Sequence, residues 1–271
     1  MSTTVDRTQT RVSASPRPRW PGYVGMLLFA LVLLYPMLRI AAVALEPPNQ
    51  SLANFRTVIH EPAFVHWMSR SALFALAISV AGTAIAAVAG YALSRSDFRG
   101  SNSMSDSRCG AQLFAGTMLL LPLYLILMNL GLISASLGLV IIYLATVLPF
   151  CICHLKRCYD SIPPSLEEAA SIDGCSRSQS FRLIVLPLVW PALISSAVLS
   201  FLTAWAGYLL AAIVLQDGQL STAPAGLVGL QAIAPSQSGL YAAGALLVLI
   251  PMVALFLIIR RTGVSRHSDP E

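Results

Sequence analysis

Cys151, His154 and Cys158 recur at spacings of three and four residues, so a helix through them would carry all three on one face, where they could hold a metal ion. The alternative is that cysteine serves here as a small apolar residue near a helix end. No fourth ligand is evident, so the apolar reading is preferred and no metal is expected. Nucleotide chemistry lacks its residues. A P-loop needs a lysine followed by Ser or Thr to reach the phosphates, and the single lysine, Lys156, is followed by Arg157. Neither an HExxH helix nor a GxSxG elbow occurs. No catalytic residue is therefore expected, and the chain does not read as an enzyme.

The elements around these residues are apolar. Of 271 residues, 56% are hydrophobic and 11% charged, against about a quarter charged in soluble proteins, and the mean hydropathy is +0.73. Crossing a bilayer takes about 20 mostly apolar residues per helix. Six stretches qualify, at residues 23–45, 71–93, 111–132, 134–155, 192–215 and 240–259, and all twelve carboxylates lie outside them. Proton-coupled pumps use carboxylates inside the membrane, so that class is disfavoured. The expected fold is all-α and integral to the membrane, with six transmembrane helices. Residues 1–22, rich in Ser, Thr, Arg and Pro, read as a disordered tail, 23–260 as the membrane domain and 261–271 as a second tail. The first stretch exceeds a signal-peptide h-region and reads as a retained helix.

Six spans place both termini on one side, and basic loops mark the cytoplasm. Fourteen of the basic residues fall on the side of the termini, leaving Arg39, Arg56 and Arg70 outside. Both termini are thus expected in the cytoplasm, and the net charge of +5 needs no nucleic-acid partner. Arg39 sits near the outer end of its run, within snorkelling range of the interface. All five cysteines fall toward the inner side, so structural disulfides are not expected.

One segment breaks the apolar pattern. In PPSLEEAASIDG, Ser165 stands three residues before Glu168, the capping-box spacing. Glu167 and Glu168 suit the positive end of a helix dipole, and Gly174 supplies a left-handed terminator. A short helix is predicted over about residues 166–173. Ser176 and Gln179 repeat the capping spacing and would start a second helix carrying Phe181, Ile184, Val185 and Leu188. Pro187 and Pro191 would then bend the chain into the fifth span. Bundle connections usually take 2 to 8 residues; this one is far longer. A membrane-surface helix would carry a basic polar face, whereas Glu167, Glu168 and Asp173 are acidic, so a docking knob for a cytoplasmic protein explains the loop better.

The run Glu168, Ala169, Ala170, Asp173 and Gly174, followed after nine residues by Ile184, Leu186 and Pro187, resembles the EAA loop of bacterial ATP-binding-cassette importer permeases. Most of the chain is similar to the sugar-importer, maltose-permease-like branch, including ANFRTVIHEPAFVHWMSRSALFA and PLYLILMNLGLISASLGLVIIYLATVLPF. The resemblance implies a type I importer-permease fold, with coupling helices at about residues 163–188 seated in a cleft of an ATPase subunit. It implies a bacterial inner-membrane location and a homologous second permease, two ATP-binding cassette ATPases and an extracytoplasmic solute-binding protein as partners. ATP and Mg would act through the ATPases, with no cofactor on this chain. One departure stands out: where the family often has Trp-Asn-Glu/Asp-Phe, this chain has Trp205, Ala206, Gly207 and Tyr208.

Trp205 and Tyr208, three apart, could line a translocation path and stack on sugar rings, or simply pack between helices. The segment 216–239, with Asp217 and Gly226, resembles the part that reaches into the binding protein, and its Gly, Ser and Pro content suits a flexible probe or an ordinary surface loop. The substrate could instead be a glycerophosphodiester, an amino sugar or a peptide. A secondary transporter is the competing class, expected to show inverted repeats and broken helices; neither is legible here.

Overall fold

The structure, a computed structural model, describes residues 20–45, 53–95, 120–215, 221–233 and 238–264. Every regular element among them is helical. In chain order these are α1 (Trp20–Ala44), α2 (Ala53–His60), α3 (Pro62–Arg95), α4 (Leu120–Asn129), α5 (Ser136–Asp160), α6 (Ser165–Ile172), α7 (Arg177–Ser180), a π-helical turn (Phe181–Val185), α8 (Leu186–Leu188), α9 (Trp190–Ala206), α10 (Tyr208–Val214), α11 (Ala223–Ile233) and α12 (Ser238–Val264). Residues 1–19 and 265–271, and with them most of both expected tails, lie outside the described residues, as do Cys109 and Asp217, while 20–22 and 261–264 belong to α1 and α12 rather than to tails.

Among the described residues four helices are long and apolar enough to cross a membrane, at Met26–Leu45, Pro62–Arg95, Ser136–Asp160 and Ser238–Ile259. A fifth is counted only if the pair bent by 76°, Arg177–Leu188 followed by Trp190–Ala206, is taken as one span. The expected third span is described only over α4, so the count of six stands as a sequence expectation. Pro36, Pro149 and Pro251 sit inside α1, α5 and α12, as transmembrane helices tolerate where neighbours re-satisfy the freed backbone groups.

The centre of the bundle is α3, which packs most extensively against α5 and α9. Its sequence explains the closeness: Gly82, Ala86 and Gly90, four apart, are buried on one face. A Cβ on Gly90 would lie 3.2 Å from the Lys156 backbone nitrogen and 3.3 Å from the Ile152 carbonyl oxygen. Small residues let two helices approach this closely where no hydrophobic force between them exists. Ser79 adds a hydrogen bond to the Ala197 carbonyl at 2.6 Å.

Three buried clusters stack along the bundle. One, with Ala86, Val147, Cys151, Leu155, Tyr159, Val185 and Leu193, lies at the end carrying Arg95 and Lys156. A middle cluster joins Ile78, Leu139, Ile142 and Tyr143 to Ala211 and Val214. The third, at the opposite end, joins Ala44, Val58 and Phe64 to Leu227 and Ala243. By contrast α1, from Met26 to Arg39, is exposed throughout, the state of a helix whose neighbours are lipid or another chain.

Several sequence expectations change here. The fifth stretch is not one helix: α9 ends at Ala206, Gly207 has extended backbone at φ −72 and ψ 93, and α10 begins at Tyr208. Tyr143 sits at the break: its hydroxyl donates to the Gly207 carbonyl, and its ring leaves no room for a Cβ on residue 207. Broken helices are therefore present after all. The middle of segment 216–239 is not a loop but the helix α11, whose Ala223 N–H is capped by the Ser71 hydroxyl at 2.7 Å. A Cβ on Gly226 would collide with the Trp67 ring. Cys153 is disulfide-bonded, against expectation; compartment redox chemistry governs whether such a bond persists, and the fold decides whether two sulfurs meet.

Candidate functional site

Between α5 and α9 the chain builds a helix–turn–helix. Its first helix, α6, begins one residue earlier than the pattern suggests. Pro164 already has helical backbone at φ −59 and ψ −25, so Ser165 is the first helical residue and its side chain caps nothing. The Ser165–Glu168 capping box is thus corrected: the helix starts on the Pro163 and Pro164 carbonyls, which accept from Leu166, Glu167 and Glu168 N–H groups. Glu167 and Glu168 do occupy the first turn.

The terminator is as expected and more complete. Gly174 adopts φ +86. Its N–H donates to the Ser171 carbonyl at 3.1 Å and the Cys175 N–H to the Ala170 carbonyl at 2.9 Å, which together make a Schellman motif. Ser176 then caps α7 in a full capping box: Gln179 N–H donates to the Ser176 hydroxyl at 3.4 Å and Ser176 N–H to Gln179 Oε1 at 2.8 Å. The second helix is shorter than predicted, because the chain passes into the π-helical turn within four residues. Such turns mark functional sites more often than ordinary helix. Pro187 follows in α8, and the chain bends at Val189 into α9.

The helix α6 has two unlike faces. Inward, Ala170 is buried, while Glu167 reaches α3: its Oε1 accepts from Arg95 Nε at 2.6 Å and its Oε2 from the Tyr91 hydroxyl at 2.6 Å. Arg95 also donates to the Ile162 carbonyl at 3.2 Å. Beside this pair, Asp160 accepts from Ser94 at 2.6 Å and from Lys156 at 2.7 Å. Tyr91 further packs against Phe181 and Tyr159, with ring centroids 4.5 and 5.7 Å away. Val185 is buried, and Ile184 and Leu186 are half-buried, so the second helix is held by apolar packing.

Outward, Leu166, Glu168, Ala169, Ile172, Asp173 and Gly174 are exposed. Ile172 is 87% exposed and Leu166 43%. With Ala169 they form a row at spacing three along one side of the helix, an apolar strip edged by Glu168 and Asp173. Next to it a cleft of 620 Å³ opens between the end of α3 and both short helices, lined among others by Arg95, Glu168, Ile172, Cys175 and Arg177. The shape offers apolar contact, charge of both signs and a concave edge, which suits a protein surface rather than covalent chemistry.

Two candidates lie elsewhere. Trp205 is 2% exposed and its indole N–H donates to the Val248 carbonyl at 3.0 Å, so it packs α9 against α12. Tyr208 is 40% exposed, and the break at Gly207 takes it off the helical face of Trp205. The pair does not form one lining. Cys151, His154 and Cys158 share a helix but not a site: Cys151 contacts the Ser200 hydroxyl at 3.3 Å, whereas His154 meets Ser195 at 2.9 Å. Among the described residues no group of three metal-ligating side chains converges.

Sequence reasoning missed Arg95, Tyr91 and Ile172, and used Glu167 for the helix dipole and the acidity of the loop, not for a contact with α3. The one legible signal was Ile172, an isoleucine between polar residues at the end of a short helix.

A helical membrane bundle whose polar helix pair is anchored inward and leaves an apolar strip exposed outward has the form of a transporter subunit. Residues 110–262 match the binding-protein-dependent transport system inner membrane component family, and the chain belongs to that family. It is 31% identical over 254 residues to the inner membrane ABC transporter permease protein YcjP of Escherichia coli, covering 88% of this chain and 91% of that one. It is 27% identical to the diacetylchitobiose uptake system permease protein DasC of Streptomyces coelicolor, covering 91% and 94%, and 29% identical to the maltodextrin transport system permease protein MdxG of Bacillus subtilis, covering 90% and 92%. The fold is shared with the crystal structure of a bacterial ABC transporter involved in the import of the acidic polysaccharide alginate, at a TM-score of 0.68 and 22% identity, over 91% of this chain and 98% of that one.

Proposed function

We propose that this chain is the permease subunit of an ATP-driven carbohydrate importer, with both termini in the cytoplasm of a bacterial cell, and that it translocates its substrate by alternating access. The observation that carries the reading is the exposed Leu166–Ala169–Ile172 strip on a helix whose other face is fixed to the bundle. Leu166, Ala169 and Ile172 lie together and are rimmed by Glu168 and Asp173, the makeup of a partner-binding surface rather than of one stray exposed side chain. That partner is an ATP-binding cassette subunit, to which Glu168, Ala169, Asp173 and Gly174 also present themselves, while Ala170, Ser165, Ile184, Leu186 and Pro187 shape the support. ATP and Mg belong to that subunit.

The basic residues on the side of the termini support the orientation. A homologous second permease, a second ATPase copy and an extracytoplasmic solute-binding protein complete the assembly, and α1 faces lipid or the second permease. Carbohydrate is the substrate class because the relatives' own names specify diacetylchitobiose, maltodextrin, arabinooligosaccharides and trehalose. Diacetylchitobiose keeps an amino-sugar oligomer as the second reading within that class.

The test is to isolate the full chain from native membranes in mild detergent and identify by mass spectrometry what stays bound. Recovery of a P-loop ATPase, a second permease and a solute-binding protein that takes up oligosaccharide is the expected result. A chain that comes out alone, or a binding protein that takes up peptide and no sugar, overturns the reading.

A further inference from the structure

We propose that Glu167 is a positioning residue that clamps the docking helix α6 to the cytoplasmic end of α3, and that α3 is thereby the strut through which movement of α6 reaches the opposite side of the bundle. The proposal rests on the importer reading above for what moves α6. It rests on geometry alone for the clamp.

Both carboxylate oxygens of Glu167 are used, one by Arg95 and one by Tyr91, each at 2.6 Å. The two partners are four residues apart on α3 and so present one face. The Arg95–Glu167 pair is mostly shielded, with side chains 14% and 15% exposed, a setting in which charge-assisted hydrogen bonds are stronger and less screened than on an open surface. The adjacent Glu168 is exposed. Tyr91 also contacts Phe181 of the π-helical turn, so the same side chain holds both short helices to the same strut.

The far end of α3 is fixed as well. Ser71 caps α11 through the Ala223 N–H at 2.7 Å, and Trp67 lies against Gly226 with no room for a Cβ. Ser71 and Arg95 belong to one uninterrupted helix, about 36 Å apart at 1.5 Å per residue. A displacement imposed on α6 is therefore delivered to α11 by one rigid body. A flexible loop at the Glu167 end would dissipate it instead.

The test uses the full chain and two readouts. Amide hydrogen exchange over Ser165–Ile172, measured on the chain in detergent, is expected to quicken at least tenfold in Glu167→Gln and to fall back part of the way toward wild type in the charge swap Glu167→Arg with Arg95→Glu, where the Tyr91 hydroxyl can accept as well as donate but the Ile162 carbonyl loses its donor. In the reconstituted complex, ATP consumed per solute transported is expected to rise at least fivefold in Glu167→Gln while the ATPase still copurifies, and to fall back in the swap. Unchanged exchange overturns the clamp. Quickened exchange with an unchanged ATP-to-solute ratio overturns the positioning role and leaves a purely structural contact. If wild-type chain retains no ATPase, the importer reading fails, and the exchange experiment still decides the clamp by itself.

Discussion

Replacing Gly174 separates what the turn requires from what the docked partner requires. At φ +86 the backbone sits in the left-handed region, where a side chain costs about 1–2 kcal/mol. Against this, losing glycine's freedom in the unfolded chain returns about 0.4–1 kcal/mol, so Gly174→Ala is expected to weaken the Schellman turn by about 1 kcal/mol, or about fivefold in its opening equilibrium. No heavy atom lies within 4 Å of a Cβ built there. Gly174→Trp therefore has the same backbone cost as the alanine and the same open space at its Cβ. The two substitutions should give equal acceleration of Cys175 amide exchange, whose N–H closes the turn on Ala170. Gly174→Asn, more tolerant of left-handed backbone, should give less. ATPase recovery after detergent extraction should then divide them, being largely kept in Gly174→Ala and lost in Gly174→Trp. An exchange rate in Gly174→Ala equal to wild type refutes the strain argument. Intact transport in Gly174→Trp refutes docking on this face.

Ile172→Ser should leave the fold within about 0.5 kcal/mol of wild type because the side chain is exposed, yet weaken ATPase binding by about 2 kcal/mol, or about thirtyfold, if a partner covers it; equal affinity would remove Ile172 from the interface. Gly207→Ala forces a methyl onto the Tyr143 ring and should destabilise the bundle by about 1–3 kcal/mol, read as a lower thermal midpoint in detergent. An unchanged midpoint would mean that the break at 207 relaxes freely. Tyr208→Ala tests the pathway role that its exposure allows: altered substrate affinity or transport rate is expected, and unchanged values for both would retire it.

Apolar runs, the distribution of Lys and Arg, and two capping and glycine signals were enough to read an all-helical membrane protein and to place a helix–glycine turn–helix at residues 165–188. These are local matters. A span is specified by about twenty consecutive residues, and Gly174 announces its turn because no other residue adopts that backbone as cheaply. Ser176 with Gln179 forms its box for the same reason, the partners being three residues apart.

What required tertiary structure was every relation at long range. One local reading failed too: Ser165 and Glu168 have the spacing of a capping box, but Pro164 already has helical backbone and the box never forms. Glu167 meets Arg95 across 72 positions of sequence, a pairing that only the packing of α3 on α5 creates. Trp205 by type and spacing could line a path or pack between helices, and only the fold brings its indole N–H to the Val248 carbonyl. In a chain whose spans are apolar on every side, periodicity does not say which face meets which neighbour, because lipid and protein interior make nearly the same demand on a side chain. Small residues, stray hydrogen bonds and the shielded Arg95–Glu167 pair make that choice, and they act only once the helices have been brought together.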